Sequence, residues 1–312
     1  MMRKFFLTTA LAALAFLPVV AQSMTSEEYN RRYETLVGRV GSSGLGVENL
    51  LDKWEADHPN DIDMLQARFL YCFDKSGKPD LVLKNQSKFL GEAPMLALKD
   101  SLGNDVNYFQ EVFYDDELFG QAVTYIDKAI QQEPNRLDLR LNKITALIGY
   151  EKESPDMALA EIKSLIDYNA TLKPNWTYPG YEVTKDYFNA SVQEYCYAFF
   201  SYGTPRSYDA FRDISLKMLD SEPNNTLFLN NMGSYFLVSQ HDNKTAQKYY
   251  DKVLKIDKGD LTAIRNCILM ARNAKDTKLE KKYLPLLAKY GETEADKASA
   301  QARLDALNTK KK

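Results

Sequence analysis

The sequence predicts an all-α superhelix of stacked helical hairpins, and three observations support that fold class. Apolar residues recur at helical spacing through most of the 312-residue chain. A phrase that ends in a turn, usually at proline, recurs with nearly fixed internal spacing. Each phrase is followed by a second apolar helix, so the unit is helix, turn, helix, turn.

Four helix-ending phrases line up with one another, and the first two share their internal spacing. In both, three apolar residues and a terminal proline are separated by four, three and five residues. These intervals place the apolar side chains on one stripe of a helix, and the proline marks where that helix ends. The phrases read VENLLDKWEADHPND, QAVTYIDKAIQQEPNR, DAFRDISLKMLDSEPNN and TAQKYYDKVLKIDKGD.

The repeat length and the small residues indicate the kind of hairpin. Ala122 and Ala158 are 36 residues apart, and so are Ala210 and Ala246. Gly233 and Ala246 lack bulk, which lets paired helices approach closely at their crossing. This period, with small residues in the helices and proline at the exit, resembles the tetratricopeptide repeat, whose unit is about 34 residues.

The resemblance covers about residues 45–90 and 117–290 and is strongest over 208–270. It implies that the hairpins stack into a superhelix, because one hairpin cannot bury its apolar faces alone. It also implies an interaction module, similar to the exported tetratricopeptide proteins of the bacterial cell envelope.

One break in the repeat falls at residues 91–116, which do not follow helical spacing. The Leu-Gly-Asn turn at 102–104 favours a small β-hairpin near 96–114, wedged into the array. The alternative is a helix from about Val106 to Tyr114.

A second break is an aromatic loop at residues 171–186, where two prolines and Gly180 forbid a continuous helix. Trp176, Tyr178 and Tyr181 lie on this loop. Aromatic side chains with a polar handle suit peptide or sugar faces, so the three are candidate partner-binding residues. An inserted loop also needs an anchor of its own, and we favour that role for them.

The chain begins with the pattern of an export signal. A basic start, MMRK, precedes an apolar run from Phe5 to about Leu17. The run is too short for a membrane anchor, which takes roughly 20 apolar residues. We therefore expect residues 1–23 to be removed after Ala21 or Ser23, leaving a periplasmic or secreted chain.

Net charge limits the class of partner that we expect, and the position of the cysteines indicates the state of their thiols. Removing Arg3 and Lys4 from the 40 basic residues leaves 38 against 43 acidic ones, a net charge of −5, which argues against nucleic acid. No second apolar run approaches membrane length, so we expect no transmembrane segment. We interpret Cys72, Cys196 and Cys267 as buried free thiols in apolar helices, although the sequence leaves a disulfide open.

No catalytic constellation stands out, and we expect neither enzyme activity nor a metal or cofactor. His58 and His241 each stand beside a turn without a set of further ligands. The sequence contains no Gly-rich phosphate loop, no G-x-S-x-G elbow and no Cys–His signature.

Asparagine recurs at one slot of the repeat. Asn142 and Asn231 each lie eight residues after the proline that ends the preceding helix, and Asn266 occupies the matching slot later in the chain. The resemblance implies that this slot faces a concave groove, where an amide offers a bound backbone both a donor and an acceptor. The alternative is a solvated amide without a partner. The first repeat has Ala67 there, and the basic set of a two-carboxylate clamp is not found beyond Arg265.

The resulting hypothesis is a non-catalytic scaffold that binds a protein or peptide segment in its groove through Asn142, Asn231 and Asn266. The alternative is a glycan-binding or uptake accessory protein that uses the aromatic loop. The expected segments are a signal peptide (1–23), N-terminal hairpin helices (24–90), an irregular insertion (91–116), repeats (117–170), the aromatic loop (171–186), further repeats (187–290), and a closing helix with a lysine-rich tail (291–312).

Overall fold

The computed structural model describes residues 23–309, which form thirteen α-helices and one small antiparallel sheet. The predicted fold class is confirmed. Nearly all of the predicted signal peptide and the last three lysines lie outside the described residues. The helices are α1 (Ser26–Val40), α2 (Val47–Asp57), α3 (Ile62–Ser76), α4 (Asp116–Gln132), α5 (Leu137–Glu151), α6 (Asp156–Leu172), α7 (Lys185–Tyr202), α8 (Pro205–Ser221), α9 (Thr226–Val238), α10 (Asn243–Ile256), α11 (Leu261–Asn273), α12 (Thr277–Tyr290) and α13 (Glu294–Thr309); the strands are β1 (Gly77–Lys84), β2 (Leu96–Lys99) and β3 (Asp105–Tyr114).

The first twelve helices pack as six consecutive hairpins. Each odd-numbered helix contacts the even-numbered helix that follows it, from α1 with α2 to α11 with α12. Equivalent helices of neighbouring hairpins are also in contact. The first helices α1 and α3 contact each other, as do α9 and α11, and the second helices α6 and α8 are in contact too. This neighbour-to-neighbour contact is the packing of a helical repeat array. Helix α13 closes the array against α12.

The predicted apolar stripes form the core of the array. Val47, Leu51 and Trp54 of α2 are fully buried, and the equivalent stripe of α4 is buried in the same way. Gly233 of α9 meets Tyr250 of α10 at the helix crossing, where an added Cβ would lie 2.5 Å from the tyrosine ring. The small residue is therefore required by the close approach of the two helices.

Side chains define where the helices begin. The Thr25 hydroxyl accepts a hydrogen bond from the Glu28 backbone, and the Glu28 carboxylate accepts one from the Thr25 backbone, which forms a capping box. Asp115 accepts a hydrogen bond from the backbone N–H of Leu118 and starts α4.

The predicted β-hairpin forms, but it belongs to a larger sheet. Strands β2 and β3 pair antiparallel, and β1 pairs with the other edge of β3, giving the order β1-β3-β2. Residues 77–84 fall within the segment predicted as N-terminal hairpin helices, and this boundary is wrong. Pro79 cannot continue α3 because it lacks the backbone N–H, and the chain then runs on as a strand.

The sheet is inserted in the connection between α3 and α4, and one of its faces packs towards the array. The Glu111 carboxylate of β3 lies 2.9 Å from the Lys84 ammonium and 3.4 Å from that of Lys152, in the turn after α5. The loop after β1 approaches the end of α7 so closely that a Cβ on Gly91 would lie 2.2 Å from the Ser201 carbonyl oxygen. These contacts attach the sheet to the turns inside two of the following hairpins.

The opposite face of the sheet carries apolar side chains that are exposed to solvent. Residues paired across the ladder share a face, which puts Leu81 and Leu83 of β1 on the same side as Leu96 and Leu98 of β2. All four leucines are about half exposed. This face therefore departs from the usual one-sided antiparallel sheet, in which the solvated face is polar.

The three cysteines are free and buried, as interpreted from the sequence. Burial disfavours the thiolate and raises the pKa of both Cys196 and Cys267 to about 12. These thiols therefore behave as small apolar side chains of the core.

Candidate functional site

Three first helices, α1, α3 and α5, line a cavity of about 340 Å³ together with the aromatic loop. We call it the groove cavity. Asn142 and Tyr178, which the sequence places in two separate candidate sites, both line it. The side chains around it are Asn30, Tyr33, Glu34, Asp63, Gln66, Ala67, Leu70, Arg136, Asp138, Asn142, Tyr178 and Pro179.

Helical spacing explains how these side chains come to share one surface. Asn30 and Glu34 are four residues apart on α1, and Asp138 and Asn142 are four apart on α5. Residues at this interval lie one above the other on the same face of a helix. Ala67 is the counterpart of Asn142 in the first repeat, so the two equivalent slots are brought together.

Arg136, at the start of α5, is paired with Asp138 within the cavity wall. Its Nε and Nη2 groups each donate to one carboxylate oxygen of Asp138, both at 2.8 Å. The hydrogen bonds from Arg136 satisfy Asp138, which is 4% exposed, in a bidentate pair. The same hydrogen bonds are the main reason that the pKa of Arg136 lies above its ordinary value.

Two other carboxylates of the cavity, Glu34 and Asp63, make no ion pair or hydrogen bond with residues 23–309. Desolvation by the surrounding protein raises the pKa of Asp63 although the side chain is exposed, and repulsion from Asp61 adds to the effect, whereas Arg136 opposes it. The groove cavity therefore has an acidic character.

Tyr33 also lines the cavity, and its hydroxyl is buried beneath the surface. The side chain is 7% exposed, and its buried hydroxyl has no hydrogen-bond partner within the described range. Burial raises its pKa to about 12, so the hydroxyl stays protonated and can donate.

The three asparagines of the predicted ladder occupy three different surroundings. Asn142 is partly exposed in the groove cavity, and Asn266 is partly exposed on α11. Asn231 is 6% exposed, and its amide is bonded to Gln193 and Ser215 inside the wall. Among the three, Asn142 is therefore the one whose amide stands beside the groove cavity.

Trp176 anchors the aromatic loop. Its indole N–H donates to the Asn169 side-chain oxygen at 2.9 Å, and its ring stacks on Phe188 at 6.0 Å between centroids. The side chain is 9% exposed. The neighbouring residue Thr177 binds the turn before α5, where its N–H donates to the Asn135 carbonyl at 2.9 Å. This position matches the anchoring role that the sequence favours.

Three tyrosines remain accessible beside the anchor. The ring centroid of Tyr178 lies 5.0 Å from that of Tyr181 and 5.9 Å from that of Tyr187. Tyr181 is 64% exposed. We call these three the tyrosine cluster. Sequence reasoning missed Tyr187, although its position three residues after the N-cap of α7 places it next to the loop.

A larger cavity, of about 900 Å³, lies between the sheet and the turn joining α7 to α8. Lys84, Phe89 and Tyr202 are among the side chains around it. No local sequence signal indicates this cavity, because the loop after β1 and the α7 terminus are more than one hundred residues apart in the chain.

The described residues form neither a metal-ligand cluster nor a helix suited to a membrane. No three His, Cys, Asp or Glu side chains within residues 23–309 are grouped as a metal site would require. Over the same residues, none of the helices combines the length and the apolar character needed to cross a bilayer.

Comparison with known proteins yields a structural likeness only. No family model matches the sequence, and no curated protein matches it. Among solved structures, the crystal structure of the flexible tandem repeat domain of a bacterial cellulose synthase component aligns over 92% of this chain and 98% of its own length. The identity is 13% and the TM-score is 0.29, so this likeness carries no argument about function.

Proposed function

We propose that the chain is a non-catalytic scaffold of the cell envelope, an exported tetratricopeptide-type protein that binds a segment of a partner protein in its groove. The observation that supports this most is the groove cavity itself, to which three successive hairpins each present polar side chains. A repeat array that presents fixed groups from neighbouring units is suited to holding an extended segment with little reorganisation.

The proposal is tested by affinity capture from cell-envelope extract with the mature chain, beginning at Met24. A variant with Asn30→Trp fills the groove cavity without removing a hydrogen bond, since the Asn30 side chain makes none with residues 23–309. The matched control is Gln121→Trp, which places the same bulk on an exposed position of α4.

A partner recovered by the native chain and by Gln121→Trp, but lost with Asn30→Trp, would support binding in the groove. Equal recovery by all three proteins would exclude the cavity as the binding site. Circular dichroism and the thermal midpoint of each variant establish that the comparison is made between folded proteins.

The exposure of Tyr181 favours one second candidate, a glycan-binding accessory protein. The tyrosine cluster presents ring faces outside the core, and aromatic faces of this kind suit sugars. Binding to a panel of polysaccharides, compared between the native chain and Tyr181→Ala, tests this candidate. Trp176→Ala is not suitable for the purpose, because Trp176 holds the loop in place.

A further inference from the structure

We propose that the groove cavity selects a cationic partner segment, one that presents a lysine or arginine side chain to Glu34 and Asp63. The inference rests on the proposed function and specifies the chemistry of the partner. Of the four charged side chains around the cavity, three are acidic and only Arg136 is basic.

The single arginine offsets the acidic groups only in part, because its guanidinium is engaged within the wall. Two nitrogens of the Arg136 guanidinium are bound to Asp138, so the two charges cancel within the wall. Its third nitrogen lies 3.5 Å from a carboxylate oxygen of Glu133, which engages the remaining donor as well. A ligand therefore meets the two carboxylates that have no partner within the described residues.

Those two carboxylates come from different hairpins and line one space. Besides desolvation, the neighbouring carboxylate of Asp61 raises the pKa of Asp63, Arg136 lowers it, and Glu133 and Asp138 add smaller repulsions. A cation in the cavity offsets this repulsion and gains an attraction, whereas an anionic segment would add to the repulsion. The two-carboxylate clamp considered from the sequence is thus disfavoured at this cavity.

The remaining side chains fit an extended cationic segment. Tyr178 lines the cavity, and its ring can bear a guanidinium or ammonium on its face. The Gln66 side-chain oxygen lies 3.5 Å from an Arg136 nitrogen, so the Gln66 NH2 group and the Asn142 amide are left to serve the backbone of the segment. This combination offers charge, a ring face and backbone hydrogen bonds in one place.

The test uses a displayed library of random dodecapeptides, selected on the mature chain. Selected peptides are kept when Asn30→Trp abolishes their binding, which restricts them to the groove cavity. We expect these peptides to be enriched in lysine and arginine. Their affinity should fall about tenfold in the double variant Glu34→Gln/Asp63→Asn, as expected for the loss of two exposed charge pairs.

The matched control is Asp220→Asn/Glu153→Gln, which makes the same change of net charge at two exposed carboxylates outside the groove cavity. The affinity of this control variant for the selected peptides should change less than twofold. Groove-restricted peptides that are neutral or acidic, or a loss equal in both double variants, would overturn the inference while leaving the scaffold proposal intact. If no selected peptide is sensitive to Asn30→Trp, the groove proposal itself fails, and the inference fails with it.

Discussion

Asn231 of α9 and Gln193 of α7 exchange two hydrogen bonds across neighbouring hairpins. The Gln193 amide donates to Asn231 Oδ1 at 3.0 Å, and the Asn231 amide donates to Gln193 Oε1 at 2.8 Å. The Asn231 amide also donates to the Ser215 hydroxyl at 3.2 Å. This asparagine therefore joins two repeats to each other, which gives it a structural task.

We expect Asn231→Ala to lower the free energy of unfolding by about 1–3 kcal/mol, because it removes three hydrogen bonds inside the wall and leaves the partly buried Gln193 amide without its partner. Asn142→Ala should change it by less than about 0.5 kcal/mol, as at other partly exposed positions without a network. Urea unfolding followed by circular dichroism measures both. Equal stability of the two variants would show that the amide exchange contributes nothing.

The relation between Gly233 and Tyr250 leads to a second prediction. A Cβ on Gly233 would lie between 2.5 and 2.9 Å from three atoms of the Tyr250 ring, which is 0% exposed and cannot move freely. We expect Gly233→Ala to cost about 1–3 kcal/mol of stability by overpacking. In the double variant with Tyr250→Leu, the two changes should be non-additive, because the smaller side chain makes room for the methyl group. An additive pair in the double-mutant cycle would contradict the packing argument.

In the aromatic loop, the effect of the anchor Trp176 can be measured separately from that of the exposed Tyr181. Trp176→Ala should destabilise the protein by about 3 kcal/mol and free the loop, because it removes a buried ring and the hydrogen bond to Asn169. Amide exchange at Thr177, which donates to the Asn135 carbonyl, should then accelerate. Tyr181→Ala should leave both quantities unchanged, since that side chain is 64% exposed. Protection of Thr177 that survives Trp176→Ala would show that the loop is held by other contacts.

A structural feature can be predicted from the sequence when the residues that form it are close together in the chain. The stripe of Val47, Leu51 and Trp54 is predictable because helical periodicity shows in the spacing of nearby residues. Strand β1 was missed because its partner β3 lies more than twenty residues downstream, and pairing at that distance leaves no local signature. A proline at the third position of the strand was the available signal for its beginning.

The candidate site shows the same division. Repeat spacing places Asn142 and Asn231 in equivalent slots, yet one is partly exposed at a cavity and the other is buried in the wall. The difference comes from Gln193, which is 38 residues away from Asn231 and is brought beside it only by the stacking of hairpins. Slot equivalence therefore predicts which helix face a residue occupies, but not what that residue touches.

Glu280 of α12 gives a prediction about pH. Its carboxylate, which is 2% exposed, accepts hydrogen bonds from Arg272 of α11 at 2.8 Å and from Arg303 of α13 at 3.0 Å, so it ties the closing helix to the last hairpin. The bond from Arg303 is the main reason that the pKa of Glu280 lies below its ordinary value of 4.5. A carboxyl group whose pKa is lower in the folded state stabilises that state above the unfolded pKa, and the contribution is lost as the pH falls through the folded pKa.

We therefore expect Glu280→Gln to cost about 1–3 kcal/mol at pH 7, where the native group is ionised and accepts from both arginines. The difference between native and variant proteins should shrink steadily as the pH falls below about 4.5. Urea unfolding at a series of pH values measures it, with Glu153→Gln as the control, because the Glu153 side chain is exposed and makes no ion pair within the described part of the chain. A difference that stays constant across this range would mean that the ionised form of Glu280 does not hold α13 in place.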